Sequence, residues 1–185
     1  MSKTSENKQP IVYTVGHSNR SIAEFGEILT AHGIKTLVDV RSIPKSAHNP
    51  QFGKSRLASS LKKLKISYVH LARLGGLRRA KKDSKNLGWR NASFRGYADY
   101  MATQEFKKGM VELIKIARKR KTAIMCAEAV PWRCHRSLIA DALIVKKWSV
   151  ENITGKSRAQ RHKLTPFLKM RGRTLTYPIP GGLFE

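Results

Sequence analysis

Acidic side chains are scarce in this chain. Twelve Asp and Glu stand against 37 Lys and Arg, a formal charge of +25 at pH 7. So large an imbalance disfavours cationic partners and draws polyanions toward the surface. Cysteine is nearly missing as well. Only Cys126 and Cys134 occur, which excludes the disulfide framework of a small secreted domain. No run of 18 apolar residues is present, so no membrane-spanning helix and no membrane partner are expected. The first ten residues, MSKTSENKQP, lack the apolar centre of a signal peptide, and the expected compartment is the cytoplasm. Glycine is thin where nucleotide cofactors need it. Gly16 stands alone after the first apolar run, and no Walker loop occurs, so neither a nicotinamide cofactor nor P-loop chemistry is expected.

What is present reads as a single domain. A chain of 185 residues can bury a proper core. Residues 1–10 are expected to form a disordered tail, 11–170 a single α/β domain, and 171–185 a C-terminal extension. Ile11–Val15, ended by Gly16, is the first β-branched run and reads as a strand. Ser21 followed by Glu24 forms a capping box. Ile22, Phe25, Ile28 and Leu29 then share a helical face, closed by Gly33. Further strands are expected at Thr36–Val40, Ile66–Leu71, Thr122–Met125 and Val150–Thr154. Helical patterns fill the intervals, one of them running from about Tyr97 to Ala117. Strands alternating with helices argue a Rossmann-like, open, mostly parallel sheet flanked by helices.

One stretch departs from this rhythm. Residues 72–96 have no strong period and read as a basic insertion or long loop, of the kind that usually carries function. Arg73, Arg78, Arg79, Lys81, Lys82 and Arg90 make it the expected nucleic-acid track. Trp89, Phe94 and Tyr97 are placed either to stack bases or to pin this loop to the body.

The richest segment is KTAIMCAEAVPWRCHRSLIADAL, residues 121–143. Cys126, Glu128, Arg133, Cys134, His135 and Arg136 fall within eleven residues of a strand-to-helix crossover. Carboxyl ends of parallel strands share one crevice. His17, Asn19 and Arg20 follow strand one, and Asp39 and Arg41 end strand two. His17, Asn19, Arg20, Asp39, Arg41, Cys126, Glu128, Cys134, His135 and Arg136 are therefore expected to converge. Cys126 is either a nucleophilic or redox thiol or a small buried hydrophobe. Cys134, at a helix entrance, has its thiolate favoured by the helix dipole. Glu128 serves as a general acid or base or as an ion-pair partner of Arg41 or Arg136. His17 is a proton-transfer group or a turn residue, and Asp39 is expected to hold Arg41. His135 and Arg136 lie in a first helical turn, where backbone N–H groups favour an anion, and arginine suits phosphate through its planar fork.

Two familiar arrangements fit poorly. A Cys-x5-Arg phosphate cradle starting at Cys126 would need arginine at 132, where Trp132 stands. Zinc on Cys126, Cys134, His135 and His162 is the minor alternative, because C-x7-C-H matches no standard structural spacing. No metal and no other cofactor are expected.

YTVGHSNRS, LVDVRSIPKS, FRGYADYM and CAEAVPWRCHRSLIA together resemble the domain of unknown function 488 family, over residues 11–164. The resemblance implies a Rossmann-like α/β domain and no particular reaction. It carries the same polar residues, from His17 to Arg136, as a shared site and adds His162. The expected function is an enzyme, a hydrolase or transferase, acting on a nucleic acid or nucleotide. Cys126, Glu128, His17, Cys134 and His135 would supply chemistry, and Asn19, Arg20, Arg41, Arg136 and His162 would hold phosphate. The alternatives are a non-catalytic nucleic-acid-binding protein and a thiol-based enzyme or redox sensor for a small anion.

Overall fold

The computed structural model describes residues 9–45, 47–172 and 174–180; residues 1–8 of the expected tail and 181–185 of the expected extension lie outside them. Eight strands and five α-helices follow in the order β1 (Ile11–Gly16), α1 (Ile22–Ala31), β2 (Thr36–Asp39), α2 (Lys54–Lys63), β3 (Ser67–His70), α3 (Ala92–Met101), α4 (Gln104–Ala117), β4 (Thr122–Cys126), α5 (Arg136–Val145), β5 (Ser149–Ile153), β6 (Gln160–Arg161), β7 (Lys169–Arg171) and β8 (Thr174–Thr176). The main sheet runs β3-β2-β4-β1-β5-β6. Its first five strands are mutually parallel, and β6 is antiparallel to β5. The fold is an open, Rossmann-like α/β sheet of mostly parallel strands.

The apolar runs are continuous because both faces of the sheet are covered. Val12, Val38, Ile124 and Val150 point to the layer of α3, α4 and α5. Their neighbours Tyr13, Leu37, Ala123, Met125 and Ile153 point to α1 and α2. Ser21 caps α1, its hydroxyl accepting from the Glu24 N–H at 3.1 Å, and Gly33 takes a left-handed φ of 62° after it. Both features follow the sequence expectation.

The helix expected from about Tyr97 to Ala117 is two helices. Thr103 interrupts it: its hydroxyl accepts from the Phe106 N–H at 3.3 Å and starts α4 afresh. The first of the pair begins earlier than expected, at Ala92, because Asn91 accepts from the Ser93 and Phe94 N–H groups. Asn91 is thus a helix N-cap that ends the long loop.

That loop is ordered by buried acid. Asp99, on α3, accepts from the Lys81 N–H, the Ser84 hydroxyl and the Asn86 amide at 2.7 to 2.9 Å. Tyr97 is fully buried and donates to the Leu74 carbonyl. Trp89 packs against Phe94, Phe167 and Tyr177, with ring centroids 4.7, 5.0 and 5.6 Å away. Trp89 and Tyr97 therefore pin the loop to the body, which decides between the two roles left open for them.

The C-terminal segment is built into the same cluster. Strands β7 and β8 form a two-stranded ribbon, and Tyr177 just beyond it is fully buried. Its hydroxyl donates to Asp141 of α5 at 3.0 Å, and its main chain exchanges bonds with Asn86 and Gly88. Asp141 also accepts from the Thr165 N–H, the Thr165 hydroxyl and His162. This explains why α5 is buried on every side from Arg136 to Leu143: the sheet lies under it, and His162, Thr165 and Tyr177 close over Asp141. Tyr177→Ala opens a cavity and leaves Asp141 short of a donor. It is expected to lower unfolding free energy by about 3 kcal/mol or more, measured by urea denaturation. A loss below about 1 kcal/mol would show that this strap adds nothing to the fold.

Candidate functional site

The carboxyl ends of β1, β2 and β4 open onto one cavity of about 390 Å³. Its wall includes His17, Arg41, Cys126, Glu128, Cys134 and His135. Six of the residues expected from sequence thus share one concave surface at the edge where the chain crosses over β1. Close backbone contact makes this packing possible. The Gly16 Cα faces the Glu128 carbonyl so tightly that a Cβ would clash with it, and the His17 and Ser18 N–H groups donate to the Cys126 and Ala127 carbonyls. Gly76 lies equally close to the His135 ring, so the basic loop can pass directly over it.

Arg41 is held rather than free. Its Nε and Nη2 donate to Asp39 at 2.9 and 2.6 Å, and Nη2 also donates to the Phe52 carbonyl. The Tyr68 hydroxyl donates to the same carboxylate at 2.7 Å. Burial alone would make Arg41 easier to deprotonate, but the Asp39 carboxylate outweighs it and raises the pKa. Asp39 therefore has the orienting role expected of it. What Arg41 directs at the site is Nη1, 3.3 Å from His17 Nε2.

His17 is a neutral acceptor at that nitrogen. Its Nδ1–H donates to the Ser18 carbonyl at 2.7 Å, which leaves Nε2 with a lone pair toward Arg41. The ring stacks on Phe52, centroids 4.1 Å apart. Burial first, then Arg41 and Arg136, lower its pKa from 6.5 to about 4.

Cys126, Cys134 and His135 form the centre of the cavity floor. His135 Nδ1 is 3.9 Å from Cys126 Sγ and 3.7 Å from Cys134 Sγ. Its Nε2–H donates to the Val40 carbonyl at 3.0 Å, so Nδ1 faces the sulfurs with its lone pair. Both cysteines are free of disulfide. A hydrogen bond from Cys126 pulls the Cys134 pKa well down, aided by Arg136 and opposed by burial. The same bond, with burial, pushes Cys126 up. Of the pair, Cys134 is thus the more acidic and Cys126 the less acidic. A thiolate is the form that acts as nucleophile or as metal ligand.

Arg136 lies behind this floor, not in the cavity. It is 1% exposed. Nε donates to Cys134 Sγ at 3.4 Å, Nη1 to the Thr14 hydroxyl at 3.4 Å and Nη2 to the Glu128 carbonyl at 2.5 Å. Its expected role as a phosphate ligand gives way to one inside the protein, because its donors are turned toward the sheet. The Glu128 carboxylate accepts instead from the Val130 N–H at 3.1 Å, so neither expected ion pair, with Arg41 or with Arg136, is its recorded contact.

Three further expected ligands lie outside the cavity wall. Arg20 donates to the Gly16 and Thr154 carbonyls, tying the ends of β1 and β5 together. Asn19 is exposed and accepts from the Ser18 hydroxyl. His162 donates to buried Asp141 on the far part of α5. Conversely, Ser42, Lys45, Ser93, Phe94 and Arg133 line the cavity and were not among the expected site residues. Lys45 belongs to the RSIPKS stretch and Phe94 to FRGYADYM, so position within those motifs was the available signal. Of the expected nucleic-acid residues, Arg79, Lys81, Lys82 and Arg90 are exposed. Arg73 instead bridges Glu105 and Glu112, and Arg78 lies 3.7 Å over the Tyr100 ring.

His17 gives the site a pH signature. The unfolded chain takes up a proton there near pH 6.5, the folded chain only near pH 4. Folding stability from the neutral ring is complete above pH 6.5 and declines as pH falls across that window. Its limit is about 3 kcal/mol. In urea titrations at several pH values, His17→Asn is expected to lose less stability than wild type on acidification through this window. Equal losses in the two proteins would mean that the ring is not held neutral.

No curated protein and no solved structure matches the chain. The family model described as Domain of unknown function DUF488 matches residues 21–143, a span that takes in β2, the basic loop and the whole Cys126–Arg136 segment. The chain belongs to this family.

Proposed function

We propose that this protein is an enzyme acting on a phosphate-bearing substrate, a nucleic acid or a nucleotide, at the cavity over Cys126, Cys134 and His135. One observation carries the reading: a thiol–imidazole cluster and the cationic side chains Lys45, Arg133 and Arg41 line the same 390 Å³ space. Reactive groups at the floor and positive charge around them suit an anion held beside the atoms that act on it. The basic loop extends this logic. It leaves the cavity wall at Gly76 and Leu77 and returns to it at Ser93 and Phe94. Between them stand the exposed Arg79, Lys81, Lys82 and Arg90, so a polyanion could follow the loop and present one unit to the cavity. Phe94, with Ser93 in the wall, offers a ring for a base to stack on. Glu128 is the carboxylate of the cavity wall and the candidate for proton transfer.

Fluorescence anisotropy with single-stranded DNA, duplex DNA and RNA, titrated over salt, tests the binding half. The expected result is submicromolar affinity with a steep dependence on salt. Joint K81E and K82E substitution should weaken every tight complex and reduce the log–log slope by about 2. Cys134→Ser and Glu128→Gln should keep that affinity while turnover of the preferred substrate drops by about 100-fold or more. Weak binding without preference that vanishes near physiological salt would overturn the nucleic-acid assignment. Full turnover in both site variants would overturn the cavity assignment.

A further inference from the structure

We propose that Cys126, Cys134 and His135 hold a zinc ion whose fourth coordination position opens into the cavity. The proposal deepens the reading above and rests on the same cavity. The three donor atoms lie within 4.8 Å of one another. Zinc takes thiolate sulfur at about 2.3 Å and imidazole nitrogen at about 2.0–2.1 Å, so tetrahedral ligands sit about 3.6–3.8 Å apart. The two sulfur-to-nitrogen separations here are 3.9 and 3.7 Å. Both sulfur-to-nitrogen edges are therefore close to those of a formed site, and the sulfur-to-sulfur edge is no longer than 4.8 Å.

The surroundings match as well. A zinc-bound histidine ordinarily donates its other ring N–H to a carbonyl or carboxylate, which fixes the tautomer. His135 does this through Nε2–H to the Val40 carbonyl at 3.0 Å. Arg136 Nε donates to Cys134 Sγ at 3.4 Å, a hydrogen bond that orients a ligating sulfur from behind. Two thiolates and one neutral imidazole balance the two charges of the ion, so the centre adds no net charge to an already basic protein. The donor set also selects the metal: two sulfurs and one imidazole favour zinc over the oxygen-preferring magnesium and calcium.

The C-x7-C-H spacing departs only from that of structural sites, which close four ligands around the ion in paired C-x2-4-C units. A site with three protein ligands and one open position is the catalytic form and obeys no such pairing. The two cysteines come instead from the end of β4 and the entry to α5. Bound zinc lowers the pKa of a coordinated water to about 7. The reaction class this assigns is hydrolysis: the hydroxyl of water joins the electrophilic atom of the substrate, its proton goes to the leaving group, and the bond between them breaks. No oxidant or reductant takes part.

The test uses the full-length protein, reduced, incubated with zinc sulfate, desalted and measured by elemental mass spectrometry. The expected content is about one zinc per chain. Cys126→Ser, Cys134→Ser and His135→Ala, each checked for folding by circular dichroism, should each lower it at least fivefold. Cobalt in place of zinc should give a sulfur-to-metal charge-transfer band that Cys134→Ser removes. A wild-type protein holding less than about a tenth of an equivalent overturns the proposal, as does a metal content unchanged in all three variants. The same desalted preparations are assayed for nucleic-acid binding and turnover. Turnover in zinc-free protein would refute the metal and leave the proposed function standing. Stoichiometric zinc with no affinity for any nucleic acid would refute the nucleic-acid part of that function and leave the metal site standing.

Discussion

A buried guanidinium organises this molecule. Arg136 is 1% exposed and cannot lose its proton inside a protein. Enclosing an uncompensated charge costs several kcal/mol, so the surrounding chain has to answer every donor it presents. Thr14 does so from β1, the Glu128 carbonyl from the loop after β4, and Cys134 from the entry to α5. Strand β1 and both parts of the β4–α5 connection are thereby fixed against one rigid fork. None of these three is a carboxylate. The Cys134 sulfur is the one of the three that can carry negative charge, and Arg136 helps to lower its pKa. Structure and reactivity meet in the same contact: the interaction that holds the crossover together also prepares the sulfur.

The few acids of the chain act in the same manner. Asp39, Asp99 and Asp141 are buried, each gathering several donors: Arg41 and Tyr68 for the first, the basic loop for the second, and the C-terminal strap for the third. These three acids are structural hubs, and their charge is largely offset within the interior by the buried Arg41 and Arg136. The positive field at the cavity is then set by the lysines and arginines outside.

This division explains what could and could not be read from the sequence. Strands β1 to β5 were legible because runs such as Ile11–Val15 and Thr122–Met125 are apolar, β-branched and ended by turn residues. The convergence of His17, Arg41, Cys126, Glu128, Cys134 and His135 was legible from the rule that strand ends share a crevice. The direction in which a charged side chain points was not. Arg20, Arg136 and His162 carry the right chemistry near the right place, yet their donors turn to main-chain carbonyls, a sulfur and a buried carboxylate. Residue type and spacing do not distinguish an arginine that awaits phosphate from one already satisfied. The short strands β6 to β8 were hidden for a different reason. Two or three residues show no period, and their positions depend on tertiary partners such as Asn86 and Asp141.

The loop over the site shows how the two levels combine. Gly76 lets its backbone lie against the His135 ring, while Tyr97, 4.9 Å from that ring between centroids, supports it from α3. Asp99 then folds the next ten residues so that Lys81 donates through its main chain and keeps its ammonium outside. A floor made rigid by Arg136 and Arg41 is thus covered by a segment that is tethered through its backbone and charged through its side chains. That arrangement separates the two tasks required of such a site. On the proposed function, the floor would fix the reacting geometry, which rigid elements do best, whereas the covering loop would gather an anionic chain through charges that need no fixed geometry at all.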